Sequence, residues 1–390
     1  MIGRLRRVML FSVIAMTCAS VSAGDVVVYA GSMFNGIDAG FRSDVSIVIR
    51  GDRIVDIRDG FIGQRCTRVI DLRDHHVLPG LIDAHTHVSA GGGWENLALG
   101  PLDAALEGVP NLQKTLEAGF TTIRNVGANA GTDIALKRAV ERGLITGPRM
   151  LISLESIGPT GGHSDRANGV DPGFGNRDWA NYVVDGADAM VRRIREHHRR
   201  GADLIKIMPS GGVLSVGDDP DRLLMTEEEI AAAVKTAHAL GMRVAAHATG
   251  RLPIETALRL GVDTIEHGTL ADTGTFELFR RTGGYLVPTL VVGSRLLVAV
   301  ERGSRSFPDD VEQKIRRFAP LAGRNVTAAY RSGVSIVFGT DSLSDHGRNA
   351  DQFAMLMAAG MSTQDVLFAT TRNAAAALGR SADLGSLAAG

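Results

Sequence analysis

The stretch Leu78-Pro-Gly-Leu-Ile-Asp-Ala-His-Thr-His87 decides how the rest of the chain is read. Leu81 and Ile82 lead an apolar strand into polar residues, and side chains on a strand alternate between its two faces. His85 and His87 then point the same way at the strand's carboxyl end. Two neighbouring neutral imidazoles suit a single divalent cation. A lone His-x-His also arises by chance as two unrelated polar residues at a strand end, so other residues have to decide.

Downstream, strand, loop and helix repeat. Apolar strands are predicted over 81–87, 121–124, 150–154, 204–208, 244–248, 264–267, 285–289 and 336–340. Helical spacing of apolar residues marks 103–118, 187–200, 227–240, 311–331 and a final helix over 364–378. Thr226-x-x-Glu229 is a capping-box start. Strand-helix units in this number predict an α/β fold of (β/α)₈ TIM-barrel type over 80–380. A doubly wound open sheet would need a glycine-rich dinucleotide turn after the first strand. His-Thr-His stands there instead, and Gly91-Gly-Gly93 lacks the required frame.

Upstream, residues 24–79 are β-rich, with strands predicted over 25–30, 45–49, 53–57 and 68–72 and turns at Asn35-Gly36 and Gly51-Asp52. They are too few and short to hold a core alone and read as part of a small β-sandwich domain. Residues 1–23 read as a secretory signal peptide: Arg4, Arg6 and Arg7, an apolar run from Val8 to Met16, then Val21-Ser22-Ala23. The run is too short to anchor the chain in a bilayer. A periplasmic or secreted location follows as an expectation. Cys18 lies in that signal, leaving Cys66 without an intramolecular partner.

The chain has 390 residues, 44% hydrophobic and 22% charged, which is ordinary globular composition. With Lys+Arg 42 against Asp+Glu 43 it lacks the basic field that nucleic-acid binding needs. Expected partners are a small-molecule or dipeptide substrate and further copies of the chain in a homo-oligomer, with no nucleic acid and no stable membrane anchor.

Only five cations are lysines, so the setting of each is informative. Lys206 sits in Leu204-Ile-Lys-Ile-Met208, and an ammonium buried among aliphatics must be neutralised or paired. A buried lysine with a depressed pKa can react with carbon dioxide to form an anionic carbamate that bridges two cations. The other reading is a strand-edge lysine snorkelling to water. His247 in Val244-Ala-Ala-His-Ala-Thr-Gly250 and His267 in Thr264-Ile-Glu-His-Gly268 each end an apolar strand. Asp341 in Ile336-Val-Phe-Gly-Thr-Asp341 stands at the mouth of the last strand, as a metal ligand or as a helix cap.

Jointly these residues, with the opening stretch, resemble the amidohydrolase superfamily over the span from Val26 to the end. Lys206-Ile-Met-Pro-Ser-Gly-Gly-Val213, Ile265-Glu-His-Gly268 and Phe338-Gly-Thr-Asp341 are similar to its imidazolonepropionase-like branch, which includes Xaa-Pro dipeptidase-like carboxypeptidases and ochratoxin-hydrolysing enzymes. The resemblance implies that His85, His87 and Asp341 hold one metal and His247 and His267 the other. It implies a carbamylated Lys206 bridging them, with a hydroxide between the metals. The metals are two divalent ions, expected to be zinc from the mixed N and O donors, with manganese, cobalt or iron as alternatives. Asp341 is the expected proton carrier, and His163, in Gly161-Gly-His-Ser-Asp165, either polarises the substrate carbonyl or is a surface loop histidine. His346, Arg348 and Asn349 either line the mouth or cap the next helix. His75, His76, His197 and His198 are expected to be solvated.

Two features depart from the family pattern. Relatives often carry an aromatic residue or histidine where Thr249 stands. They also continue past a Gly-Ser-Leu-x-x-Gly segment, so 381–390 reads as a lead-in to missing sandwich strands with an unpaired sheet edge.

The implied activity is metal-dependent hydrolysis of an amide, in dipeptides or N-acyl amino acids with a free carboxylate, ochratoxin-like amides included. Arg124, Arg166 and Arg348 are the candidate partners of that carboxylate. A lactonase, esterase or cyclic-amide hydrolase is the enzymatic alternative, and a silent interaction scaffold is the non-enzymatic one. Lys206 separates the readings. Lys206→Ala is expected to lose metal and activity together, with partial rescue by bicarbonate or a short carboxylic acid. Lys206→Arg is expected to be inactive too, since a guanidinium cannot form the carbamate. An arginine variant that keeps its metals and turnover would make Lys206 an ordinary strand cation.

Overall fold

Alternation along the first strands builds a sheet with one apolar face. The computed structural model describes residues 24–62, 68–89, 100–171, 183–304 and 307–390. The expected signal (1–23), Cys66 and Gly91 to Gly93 lie outside these. Strands β1 (Val26–Met33), β2 (Arg42–Arg50), β3 (Arg53–Asp59) and β4 (Arg68–Val77) pair in the order β3-β2-β1-β4. β1 runs antiparallel to β2 and parallel to β4. Val28, Ala30, Met33, Val45 and Ile47 bury together from alternate positions, with Leu387 packed against them. The Leu387 N–H donates to the Asn35 carbonyl at 2.9 Å and that of Gly390 to Ile54 at 3.0 Å.

The chain divides into two compact units. One takes in the described residues up to Asn35, Gly40–Leu78 and Leu387–Gly390; the other takes in Gly36–Ala39 and Pro79–Ser386.

The second unit is the (β/α)₈ barrel. Its parallel strands form two arcs, β5 (Leu81–Thr86), β6 (Phe120–Asn125) and β7 (Arg149–Ile152), then β8 (Leu204–Ile207), β9 (Arg243–Ala248), β10 (Thr264–His267) and β11 (Tyr285–Val287). Two seams close the ring. At the first, Ile157 bridges Ile207 and the Asp203 N–H donates to Ile152 at 2.8 Å. At the second, residues 335–342 run between β11 and β5, with bridges Leu286 to Ile336 and Thr86 to Ser342. The eighth segment is therefore present where expected but is not a regular strand. Its donors are diverted: Phe338 N–H goes to the Ala369 carbonyl, and Thr340 N–H to the Asp83 carboxylate at 3.1 Å.

Period-two alternation also sets what each barrel strand offers. On β8, Ile205 and Ile207 join the large apolar shell with Val244, Ala246 and Ile265, whereas Leu204 packs with Leu151, Ala245 and Val287. Lys206 shares the Leu204 face. Helices α1 (Pro101–Glu117), α2 (Thr132–Glu141), α3 (Ala187–Arg200), α4 (Glu227–Ala239), α5 (Arg251–Arg259), α6 (Thr273–Thr282), α7 (Leu290–Arg302) and α8 (Asp309–Arg331) follow in chain order. On α3 the buried stripe Met190, Ile194, His197 includes a histidine that the sequence reading placed in solvent. His197 is fully buried and bonds the Arg193 and Glu155 carbonyls.

The final predicted helix is two pieces: α9 (Asp351–Ala358) precedes it, and it splits into α10 (Thr363–Thr370) and α11 (Arg372–Ala377). Thr371 breaks it at φ −120°, ψ −97°, with the Thr370 and Thr371 hydroxyls donating back to the Val366 and Leu367 carbonyls. Among the described residues no helix is long and apolar enough to cross a membrane.

The capping box on α4 forms as read: Glu229 N–H donates to Thr226 Oγ1 at 3.2 Å and Thr226 N–H to Glu229 Oε2 at 2.8 Å. Glu229 also accepts from Gly186 N–H at 2.6 Å, tying the start of α3 to that of α4. Glu229→Ala orphans two N–H groups and is expected to cost about 1–3 kcal/mol. Urea unfolding checks this, and an unmoved midpoint would mean that water satisfies both donors.

Candidate active site

The barrel strands deliver their last residues to one mouth. His85 is the last residue but one of β5, His87 follows the strand, and Asp341 stands near the end of the eighth segment, with Asp341 N–H donating to the His85 carbonyl at 2.7 Å. Asp83 holds this seam together. Its carboxylate accepts from His85 N–H (3.1 Å), Thr340 N–H (3.1 Å), Thr340 Oγ1 (2.7 Å) and Asn349 Nδ2 (2.7 Å). Burial pushes the Asp83 carboxyl upward, against those four donors.

Asp341 Oδ1 lies 3.4 Å from His85 Nε2 and 3.2 Å from His87 Nε2. The other ring nitrogens face pure acceptors, Glu266 Oε2 at 2.6 Å from His85 Nδ1 and the Gly127 carbonyl at 3.1 Å from His87 Nδ1. Each Nδ1 must therefore donate, so that an Nε2 without a proton turns a lone pair toward a carboxylate that can only accept. Converging lone pairs repel unless a cation or proton sits among them. His267 joins the group, so that one ligand atom each from His85, His267 and Asp341 lie within 4.8 Å of one another. The donor chemistry fits a divalent metal. Burial alone would raise the Asp341 carboxyl, yet His85 and His87 hold it well below the usual range.

Behind His85 lies a buried ion pair. Glu266, fully enclosed, accepts from His85 Nδ1, from Arg124 Nη2 at 2.7 Å and from Thr264 Oγ1 at 2.5 Å. Burial opposes its ionisation, but the Arg124 guanidinium and His85 hold its carboxyl far below the usual range. Arg124 also donates to the Ala84 carbonyl and to Thr264 Oγ1 at 2.9 Å. A carboxylate on the far nitrogen of a ligand histidine fixes its tautomer and raises its basicity.

Lys206 is 1% exposed. Burial lowers its pKa to about 8, with Glu266 and Asp341 pulling the other way. His247 gives its Nε2 to the Gly211 carbonyl (3.1 Å), and its ring meets those of His267 and His163 at centroid distances of 4.6 and 4.4 Å. Burial drives His247 well below its ordinary value, and His267 to about 3.

His163 is half-buried and faces the centre. Its Nδ1 bonds Ser215 Oγ at 2.7 Å, Ser215 donates to Asp218 at 2.6 Å, and Lys314 Nζ pairs with Asp218 at 3.1 Å. Because the single Ser215 proton goes to a carboxylate, His163 Nδ1 donates and the neutral ring presents Nε2 as an acceptor. Polarising a carbonyl would need the other tautomer. Burial keeps the ring neutral, with its pKa lowered to about 4. Gly212 is obligatory here, since a Cβ on it would sit 1.9 Å from His163 Nδ1.

Three mouth residues besides glycine hold left-handed backbone: His267 (φ 70°), Thr289 (φ 45°) and Asp341 (φ 57°). Such strain persists only where the surroundings over-determine it. Asp272 and Glu229 cap other helices, whereas Asp341 turns into a cavity lined also by His163, His247 and His267.

The Amidohydrolase family profile matches residues 76–390. The chain belongs to this family. Ochratoxinase of Aspergillus niger is 28% identical over 332 residues, covering 79% of this chain and 66% of that one, so the chain spans about two thirds of this relative. A crystal structure of a Xaa-Pro dipeptidase with bound methionine in the active site superposes with TM-score 0.90 at 34% identity, covering 94% of this chain and 91% of that chain. A prolidase complexed with n-methylphosphonate-l-proline gives TM-score 0.85 at 31% identity, covering 94% and 90%.

Within this amidohydrolase the three arginines proposed for a substrate carboxylate are engaged elsewhere. Arg124 is buried against Glu266, Arg166 bonds Asn129, and Arg348 is exposed and paired with Asp351 at 2.7 Å. His346 is buried and Asn349 clamps Asp83, so neither is a surface cap. Glu266 escaped the sequence reading, although a carboxylate inside the apolar run Thr264-Ile-Glu-His was the signal. Glu266→Gln leaves Arg124 buried without a counter-charge and is expected to cost about 3–5 kcal/mol. Metal affinity is expected to fall about 10–100-fold. Denaturant unfolding and metal titration check the two effects, and a stable, tight-binding variant would refute both.

Proposed function

We propose that this amidohydrolase is a binuclear metal-dependent enzyme cleaving the amide of dipeptides or N-acyl amino acids, ochratoxin-like amides among them. The observation carrying this reading is the convergence of His85 Nε2 and His87 Nε2 on the Asp341 carboxylate, which lines the cavity. His85, His87 and Asp341 would hold one cation and His247 and His267 the other. When bound, two divalent ions, zinc by the mixed N and O donors, supply Lewis acidity at the scissile carbonyl and depress the pKa of water.

Lys206 suits a bridging role because its lowered pKa makes the neutral amine accessible near neutrality. Its Nζ first gives up a proton as the ammonium becomes the neutral amine, then forms an N–C bond to carbon dioxide and releases a second proton, so that a buried cation becomes an anionic carbamate. Asp341 takes a proton from the attacking water. It hands that proton to the leaving nitrogen as the C–N bond breaks, so one carboxylic acid and one amine form, and the acid's proton passes to the amine to give carboxylate and ammonium. His163 accepts a substrate N–H at Nε2 and orients the amide. The relatives support amino-acid amides as substrates: one solved dipeptidase holds methionine in its active site, another prolidase structure holds a proline phosphonate, and a third relative is an ochratoxinase.

The test is a metal-loaded preparation screened against dipeptides and N-acyl amino acids, with metal analysis of the same sample. About two metals per chain are expected, with hydrolysis lost on chelation and regained on reloading. Asp341→Asn should retain the fold and lose turnover by about 10²–10⁴-fold. Full activity with one metal or none would sink the binuclear reading.

A further inference from the structure

One of the five lysines, Lys314 on α8, is enclosed against the loop 211–218 that follows β8, and its side chain is 11% exposed. Its Nζ donates to the carbonyls of Gly212 (3.0 Å), Ser215 and Asp218 (3.2 Å), and to Asp218 Oδ1 at 3.1 Å. Four oxygens thus surround one ammonium, which has three protons to give. Carbonyl dipoles and one carboxylate around a point charge are the setting of a dehydrated monovalent cation, whose water shell such oxygens replace.

The loop held in this way touches two of the site histidines. Ser215 and Asp218 carry the hydrogen bonds that leave His163 with its proton on Nδ1, and the Gly211 carbonyl takes His247 Nε2 at 3.1 Å. Asp218 Oδ2 also accepts from Gly212 N–H at 3.0 Å, so lysine, carboxylate and the backbone beside His163 form one closed set. A second tie comes from Asp310, in the first turn of α8, which accepts from Gly217 N–H at 3.1 Å. Apolar packing holds the same loop independently, with Val213 and Val216 against Leu296, Val311 and Ile315. Removing the ammonium therefore loosens the polar groups of a loop that stays attached.

We infer that Lys314 is a positioning residue for His163: its ammonium takes the place of a bound monovalent cation and, through Asp218 and Ser215, fixes which ring nitrogen of His163 carries the proton. The inference rests on the hydrolytic reading, in which His163 accepts a substrate N–H. Without the ammonium, the Asp218 carboxylate is left among carbonyl oxygens that repel it, and it turns away from Ser215. The Ser215 hydroxyl is then free to donate to His163 Nδ1. The ring proton moves from Nδ1 to Nε2, and a nitrogen that accepted now donates, against the substrate N–H. Arginine would not serve, because its planar fork spreads its donors where four oxygens converge on one point.

The experiment reads the ring nitrogens of His163 by nitrogen NMR of the zinc-loaded full chain with labelled histidine, assigned with His163→Gln, beside metal content and kcat/KM on the best amide of the screen. Wild type is expected to show the Nδ1–H form whatever the salt. Lys314→Ala opens the cation position and is expected to lose that form and about 10–100-fold of kcat/KM, with metal content unchanged. Potassium chloride or methylammonium chloride is expected to restore both, and choline chloride, too large to enter, neither. Lys314→Met fills the space and is expected to lose both without rescue. Ser215→Ala keeps the lysine and is expected to release His163 with no response to any cation. This tautomer pattern without turnover of any amide upholds the positioning and refutes the proposed reaction. An Nδ1–H form that is absent from wild type, or retained in Ser215→Ala or in folded Lys314→Ala, overturns the inference. So do cations without effect on folded Lys314→Ala, and turnover that stays at the wild-type level after the tautomer has switched. A Lys314→Ala chain whose thermal midpoint shows it unfolded even in potassium or methylammonium also overturns it, since the lysine then serves the fold alone.

Discussion

Glu266 is the constraint on which the mouth of this barrel depends. A carboxylate sealed inside a barrel is costly unless its lone pairs are filled, and Arg124, Thr264 and His85 fill them from three strands. Breaking any one leaves a buried charge or a misdirected ring. The arrangement also settles which nitrogen His85 presents, because Nδ1 has to donate to Glu266 and Nε2 is left for Asp341. Electrostatics behind the site and donor direction within it are thus one interaction.

Asp83 does the corresponding work in the backbone. By accepting from Thr340 N–H it takes a donor that a regular ladder would have used, and the eighth segment closes the ring through bridges and side-chain bonds. Asp341 comes off that segment with left-handed backbone, directly against His85. The irregularity of the closing segment and the placement of the carboxylate have the same cause.

Much of this was legible in the chain. His85 and His87, Lys206, His247, His267 and Asp341 each end or sit in a short apolar run, and a polar group in such a run is conspicuous without any structure. Thr226 and Glu229 announce their helix start by local hydrogen bonding alone. Glu266 and Arg124 were visible as residues but not as a pair, because 142 positions separate them. His197 was readable in principle from the Met190 and Ile194 stripe, yet a histidine-rich, arginine-rich helix end looks solvated. The break at Thr371 has no apolar signature in the sequence.

By itself the sequence determined the (β/α)₈ architecture and the candidate donor set, because strand alternation, helical spacing and caps are local effects that act over a few residues. The tertiary structure alone decided which donors face one another, that Arg124 serves Glu266 instead of a substrate, and that His163 presents an acceptor through Ser215 and Asp218. Hydrogen-bond direction, desolvation and cavity shape belong to pairs of residues far apart in the chain, and they exist only once the barrel has brought those residues together.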